Sequence, residues 1–235
     1  VCGLTTWSRT FSSVTSGGAS CQVGPSPTAR AARLENIRVQ NAGEVTALLG
    51  ALPVGAPWDV SLDPTDPALP LLRDAGFDLY ATTFTVSRAI DGIPAGPGAD
   101  GVRLLTYSND MAERYEDAEW DALDGLATFK AMGRPTGYAQ GAGQGDFTVA
   151  LRGDRIIGFC FTQVPEGIVW WMGVVADERR KGVGRMLITS AARAVRLAGG
   201  THLLGSPEDT PDARAFTAAL NFHHRGTREL LIKKA

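Results

Sequence analysis

Apolar and polar positions alternate legibly from about Gly101 to the end of the chain. Val102–Tyr107 reads as a strand, and Asp110–Met132 has helical character with many acidic residues. Asp146–Arg152 and Arg155–Gln163 read as strands around a Gly153-Asp154 turn, a hairpin signal. Ile168–Val175 is a third apolar run, rich in β-branched and aromatic residues. Gly182–Ala198 reads as a helix, with Leu187, Ala191, Ala194, Val195 and Ala198 on one face and Gly199-Gly200 ending it. Thr201–Gly205 is a short strand. Thr210 can cap a further helix, with Pro211 at its first position and Ala213, Phe216 and Leu220 as its buried stripe. The chain closes on a strand, Thr227–Lys234. The order β-α-β-β-β-α-β-α-β predicts a mixed α/β domain, an α+β arrangement on a mixed sheet.

Upstream, Ile90–Gly101 (IDGIPAGPGADG) reads as a linker, because its Gly and Pro content breaks any helix or strand. It divides the chain into expected domains of residues 1–95 and 96–235. A second loop-like stretch spans Gly133–Gly145, and the first thirty residues, rich in Ser, Thr and Gly, read as strands and loops. A shift of 145 positions, the separation of Thr65 from Thr210, aligns Asp63–Phe77 with Glu208–Phe222. Ala68 then falls on Ala213, Leu71 on Phe216, Gly76 on Asn221 and Phe77 on Phe222. The Gly/Asn match is physical: helices often end on a left-handed residue, where Gly is best and Asn tolerated. The same shift ends the first copy at the linker. Pro70 departs from the pattern and requires the first copy's helix to be short or to start late.

Composition narrows the class without naming an activity. With 235 residues, 44% of them hydrophobic, the chain can bury a core without staples. A formal net charge of −2 gives no global attraction to nucleic acid or an anionic membrane. Three widely spaced cysteines, Cys2, Cys21 and Cys160, form neither a disulfide framework nor a zinc spacing, which fits a reducing cytoplasm. The longest apolar stretch, Ile168–Ala176, is too short to span a bilayer. The N-terminus lacks the basic and apolar regions of a signal peptide. The sequence starts at Val1, which fits a fragment, a processed form or an alternative start.

The segment that carries chemistry is Val174–Arg185, VVADERRKGVGR. An apolar strand runs into a basic, glycine-containing turn that opens a helix. Backbone N–H groups at a helix start are unpaired and suit a phosphate or pyrophosphate. Gly182 and Gly184 let the backbone approach an anion, and Arg179, Arg180, Lys181 and Arg185 surround the turn with cations. The bare pattern arises by chance on the order of once per thousand positions, so the strand before it, the helix after it and the cations carry its weight. No Gly-Lys-Ser/Thr follows, which excludes a P-loop. The third glycine of the dinucleotide fingerprint is absent.

This segment resembles the acetyl-CoA-binding motif of the Gcn5-related N-acetyltransferases, the GNAT superfamily, in which a V-x-P strand leads to Q/R-x-x-G-x-G/A. Here Val174-Val175-Ala176 stands where V-x-P would be, with Ala176 replacing the proline. The resemblance covers about Gly101–Ala235 and implies the GNAT fold. It implies that Arg179, Arg180, Lys181, Gly182, Val183, Gly184 and Arg185 hold the pyrophosphate. The strand at Met172, Gly173 and Val174 would then pair with the pantetheine arm, with Thr210 and Phe216 completing the cosubstrate site. Acetyl-CoA is the implied cosubstrate, with no metal. The acceptor would be a small-molecule or peptide amine, and a homodimer is compatible with the family. The first copy resembles only the family's C-terminal half. The shift puts Leu34–Val39 (LENIRV) opposite the phosphate turn, where no glycine lies, so this copy is expected to be degenerate and to bind no CoA there.

The implied reaction is attack of an amine on a thioester carbonyl. A backbone N–H near Val174 would hold the developing oxyanion, and a base must accept the amine's proton. In the family a Tyr four positions before the Gly of Gly-Phe protonates the leaving thiolate. Thr217 occupies that position here, and Leu72 in the first copy. Glu166, before the third apolar strand, and Tyr138, in the glycine-rich loop, are the base candidates. The acidic run Glu113, Glu116, Asp117, Glu119 and Asp121 reads as the solvated face of a helix. His202, His223 and His224 read as structural or solvated, and of Trp170 and Trp171 one is core. A non-catalytic acyl-CoA-binding or partner-binding module remains the alternative, since the usual acid is missing. A nucleotide-binding α/β protein is a third reading, which ATP binding tighter than CoA binding would favour.

Overall fold

The structure, a computed structural model, describes residues 12–25, 32–52, 57–93, 98–132 and 145–233. They fall into two compact units. The first holds the described residues of Val1–Thr83, Lys130–Thr136 and Thr227–Ala235; the second holds those of Phe84–Phe129 and Gly137–Gly226. Among the described residues no helix is long and apolar enough to cross a membrane.

The first unit opens with the hairpin β1 (Ser12–Ser16) and β2 (Ala19–Pro25). Its two-residue turn, Gly17-Gly18, has φ of 58° and 91°, the left-handed geometry that matches strand twist. β3 (Ala32–Arg38) pairs antiparallel with β2 and parallel with β4 (Trp58–Leu62). Helix α1 (Ala42–Ala51) makes the crossover between those parallel strands. Helix α2 (Ala68–Asp74) follows, then β5 (Asp78–Ala89), which starts in this unit and ends in the second. The last strand of the chain, β11 (His223–Lys233), does the reverse. Its Glu229–Lys233 end pairs with β4, and Leu231 is fully buried with Leu34, Leu48, Val60, Leu72 and Phe77. Each such side chain stabilises the fold by roughly 1.5–3 kcal/mol.

The second unit carries β6 (Val102–Thr106), α3 (Ala112–Leu123) and the start of α4 (Ala127–Met132). It continues through β7 (Gly145–Arg152), β8 (Arg155–Gln163), β9 (Ile168–Val174), α5 (Val183–Leu197), β10 (His202–Gly205) and α6 (Pro211–Ala219). Strands β6, β7, β8 and β9 are successively antiparallel, β10 is parallel to β9, and the Val86–Ala89 end of β5 is antiparallel to β10. Helix α5 turns Val183, Leu187, Ile188, Ala191, Ala192 and Val195 inward, whereas the expected stripe member Ala198 is exposed. The predicted helix over Asp110–Met132 breaks in two at Gly125, whose φ is 102°.

The internal repeat is geometric. Asn221 and Gly76 are both left-handed, with φ of 53° and 87°. The hydrogen bonds that close the two helices match at the same shift of 145. Ala75 donates to Leu71 O and Leu220 to Phe216 O; Gly76 donates to Arg73 O and Asn221 to Ala218 O; Phe77 donates to Leu72 O and Phe222 to Thr217 O. Strands β5 and β11 begin 145 apart, at Asp78 and His223. Helix α2 starts later than its counterpart, as Pro70 requires. The shift fails further upstream, because α1 has 10 residues and α5 has 15. This corrects one expectation: Leu34–Arg38 lie inside β3, and the segment that enters a helix as the phosphate turn does is Val39–Asn41. There the helix start is already occupied. Asn41 accepts from the Glu44 amide at 3.0 Å, and the Glu44 carboxylate accepts from the Gln40 amide at 2.8 Å.

Candidate active site

The site is built on β9. Its pairing with β10 covers only Ile168 and Val169. Beyond Val169 the two strands no longer pair, while β8 stays paired with β9 as far as Val174. The β8 register slips between Phe161 and Thr162, so Trp170 is the extra residue of a bulge, a feature that re-aims neighbouring side chains. Val175 donates to Ile157 on the β8 side at 3.1 Å. By strand alternation the N–H and C=O of Met172 and Val174 therefore point to the open edge. The Val174 carbonyl is engaged there by Arg179 Nε at 3.1 Å.

Helix α5 begins where that edge ends. Its N-cap is Gly182, left-handed with φ 88°, and no side chain caps it. The first bond of the helix runs from Met186 N–H to Gly182 O, so the amides of Val183, Gly184 and Arg185 precede the helical ladder. Arg180 is also left-handed, with φ 64°, a strained geometry for a residue with a side chain. A Cβ on Gly184 would lie 3.0 Å from the Phe216 ring and 3.5 Å from the Met172 methyl. Met172, Gly184 and Phe216 thus meet on one face of β9. Thr210 caps α6 beside them, accepting from the Ala213 amide at 3.2 Å.

The cations around the turn differ in what they do. Arg179 turns back on the fold: besides Val174 O, it donates to Ala122 O at 2.9 Å, tying the last turn of α3 to β9. Arg180 pairs with Asp212 at 2.8 Å, and Lys181 lies 3.6 Å from Glu178. Arg185 is exposed and makes no ion pair among the described residues. The acidic part of the turn is neutralised from the neighbouring hairpin. Arg152 holds Glu178 through two bonds, of 3.1 and 3.0 Å, and this pulls the Glu178 carboxyl below its ordinary range. Arg155 does the same for Asp177.

On the opposite face of β9, α3 packs closely because position 173 is glycine. A Cβ there would lie 2.6 Å from Phe159 and 2.8 Å from Ala122. This face holds a group that sequence reasoning placed on the solvated side. Glu119 is 2% exposed, and its Oε1 accepts from the Tyr115 hydroxyl at 2.6 Å and the Trp171 indole at 2.7 Å. Burial and the Glu119 carboxylate raise the Tyr115 hydroxyl well above its ordinary range, so it stays a donor. The available signal was position: Met111, Tyr115, Ala118 and Ala122 recur as an apolar stripe, and Glu119 adjoins it. Helix α4 starts nearby, with the Glu208 carboxylate accepting from the amides of Ala127 and Thr128, each at 2.9 Å.

The other candidates lie elsewhere. Glu166 is exposed in the β8–β9 turn, at the end where β9 and β10 still pair. It is eight residues from Val174, roughly 25 Å along a strand. Tyr138 lies outside the described residues. The Thr217 hydroxyl donates within its own helix, to Ala213 O at 2.9 Å and Arg214 O at 3.1 Å. His202, His223 and His224 are exposed. Among the described residues no three His, Cys, Asp or Glu side chains are grouped to hold a metal ion.

Residues 143–224 match the family model described as the acetyltransferase (GNAT) domain. The chain carries a GNAT domain. Solved structures agree with its fold. A GCN5-related N-acetyltransferase from Kribbella flavida superposes with a TM-score of 0.66 at 14% identity, over 96% of this chain and 90% of that one. One from Sphaerobacter thermophilus gives 0.62 at 16%, over 92% and 76%. A tandem GNAT protein from the clavulanic acid biosynthesis pathway gives 0.59 at 17%, over 93% and 80%. No curated protein sequence matches the chain. The GNAT fold accounts for the mixed sheet and the order of its elements, and the matched segment takes in the open β9 edge and the α5 start.

Proposed function

We propose that the chain is an N-acyltransferase that moves an acetyl group from acetyl-CoA to a primary amine of a small molecule or peptide. One observation carries the reading: β9 and β10 part after two residue pairs, and the freed edge ends at an uncapped helix start. A pantetheine arm is an extended chain with amides, and the open edge offers it unpaired N–H and C=O groups. The amides of Val183, Gly184 and Arg185, with Arg180, Lys181 and Arg185 around them, suit the pyrophosphate. Met172 and Phe216 would pack along the arm. Arg179 acts through the backbone it braces, since its guanidinium is turned toward Val174 O and Ala122 O.

In the reaction the amine nitrogen attacks the thioester carbon, the C–N bond forms and the C–S bond breaks. The Val174 or Met172 N–H is suited to hold the oxyanion. Thr217 replaces the usual acid, and its hydroxyl is directed into its helix. A thiol of pKa about 8.5 leaves tolerably without one. The first copy, whose helix start is occupied by Asn41 and Glu44, is read as a degenerate GNAT-like unit that binds no CoA. Residues 96–235 then supply the active site. Calorimetry tests the reading: acetyl-CoA is expected to bind, and absence of binding at millimolar concentration sinks it. Thiol release with a panel of amines separates transfer from the second reading, a non-catalytic acyl-CoA-binding module, which the Thr217 substitution favours.

A further inference from the structure

Glu119 is a carboxylate set among aromatic rings at the face of β9 opposite the phosphate turn. Tyr115, one turn before it, packs edge-on against Phe147 and Phe159, with ring centroids 5.2 Å apart in both cases. Burying an ionised carboxylate is costly unless its charge is used or compensated. The two donors shown to reach it, the Tyr115 hydroxyl and the Trp171 indole, are both neutral and both bind Oε1. That oxygen therefore carries no proton. Neutral donors hold the carboxylate in place without cancelling its charge.

The position matters as much as the charge. Trp171 follows the bulge at Trp170 and precedes Met172, whose side chain is on the other face with Gly184 and Phe216. An acyl group delivered along the β9 edge thus has the phosphate turn on one face of the strand and Glu119 on the other. A nucleophile approaching from the α3 side meets the carboxylate first.

We propose that Glu119 receives the acceptor amine and takes its proton, and that the acceptor is an amine cationic at neutral pH. The inference rests on the acyl-transfer reading above. The balance is simple. The ammonium gives one proton to the Glu119 carboxylate, and the neutral amine attacks the thioester carbon. The C–S bond breaks, and the thiolate takes up the proton lost from nitrogen as the amide forms. Tyr115 and Trp171 orient the carboxylate and are positioning residues. Other titratable groups near it are few: Tyr115 on its own helix and Tyr107 after β6 are both raised above their ordinary range, with burial the leading cause. On β8, Phe159 and Phe161 line this side, and Arg155 is held at Asp121 and Asp177.

The test is Glu119→Gln, which keeps an acceptor oxygen for both donors. Thiol release from acetyl-CoA is followed with 1,4-diaminobutane, glucosamine and a lysine tripeptide, from pH 6 to 10. The variant is expected to bind acetyl-CoA as the wild type does and to lose about 100-fold or more in kcat/KM at pH 7. Its rate then climbs toward the wild-type value as pH rises through the amine's own pKa, because solution takes over deprotonation. A structural role does not predict that recovery. A loss below about threefold, or an equal loss at every pH, overturns the proposal while leaving acyl transfer intact. If the wild type binds acetyl-CoA but releases no thiol with any amine, the transfer reading falls and this proposal with it.

Discussion

Gly182→Ala isolates the backbone geometry of the phosphate turn. Gly182 has φ 88° and ψ −7°, and the nearest atom to an added Cβ is the Ala99 methyl at 3.9 Å. There is room for the side chain, so the cost is torsional alone, about 1–2 kcal/mol for a Cβ in left-handed backbone. Gly199 provides the matched control. Its φ is 85°, at the other end of the same helix, with nothing within 4 Å of an added Cβ. Urea unfolding is expected to show the same loss of about 1–2 kcal/mol in both variants. Their affinities are expected to differ. If the Gly182 strain is relieved by leaving the left-handed well, acetyl-CoA must restore it on binding. Its Kd then rises by up to about 5- to 30-fold, the same free energy expressed as a ratio. Gly199→Ala leaves the Kd unchanged. Equal acetyl-CoA affinity in wild type and Gly182→Ala, with stability lowered, would show that the α5 start is not where the cosubstrate binds.

Other expectations follow from single contacts. Gly173→Ala drives a methyl to within 3 Å of Phe159 and Ala122, and is expected to destabilise the protein by about 1–3 kcal/mol in urea unfolding. Arg179→Ala removes bonds to Val174 O and Ala122 O and is expected to weaken acetyl-CoA binding in calorimetry; an unchanged Kd would place the arm away from this end of β9. Cys160 is buried and its thiol is pushed up to about 12, so native protein at pH 8 is expected to resist a thiol reagent until urea unfolds it. The Glu178 carboxyl is depressed by Arg152, so its contribution to stability is present above the carboxyl's ordinary pKa. That contribution is lost as pH falls through the lowered value, and Arg152→Leu is expected to reduce the loss of thermal midpoint on acidification.

The parts of this architecture that local chemistry determines were legible in the sequence. Thr210 and Pro211 mark the start of α6 because a cap and a first-turn proline act within a few residues. Gly153 marks the β7–β8 hairpin for the same reason, and Gly76 and Asn221 announce matched helix ends. Distant pairing was not legible. Strand β11 begins at His223 rather than Thr227, since its first residues are exposed and show no apolar alternation. The first copy's helix start lies later than the repeat implied, because α1 and α5 differ in length. The cations of Val174–Arg185 were visible as a group. Their division into Arg179, which braces two carbonyls, and Arg185, which stays exposed, depends on α3 and α6. Glu119 was missed because a charged residue in an acidic run looks solvated until β9 is placed over it.

Amide hydrogen exchange with and without acetyl-CoA tests the central claim most directly. The account predicts that acetyl-CoA slows exchange in peptides covering Trp170–Val174 and Gly182–Met186, where β9 lacks a partner and α5 lacks a cap. It predicts no comparable change at Asn41–Val45, where the helix start is already occupied. Protection at Asn41–Val45 instead, or none along β9 and the start of α5 at saturating acetyl-CoA, would contradict it.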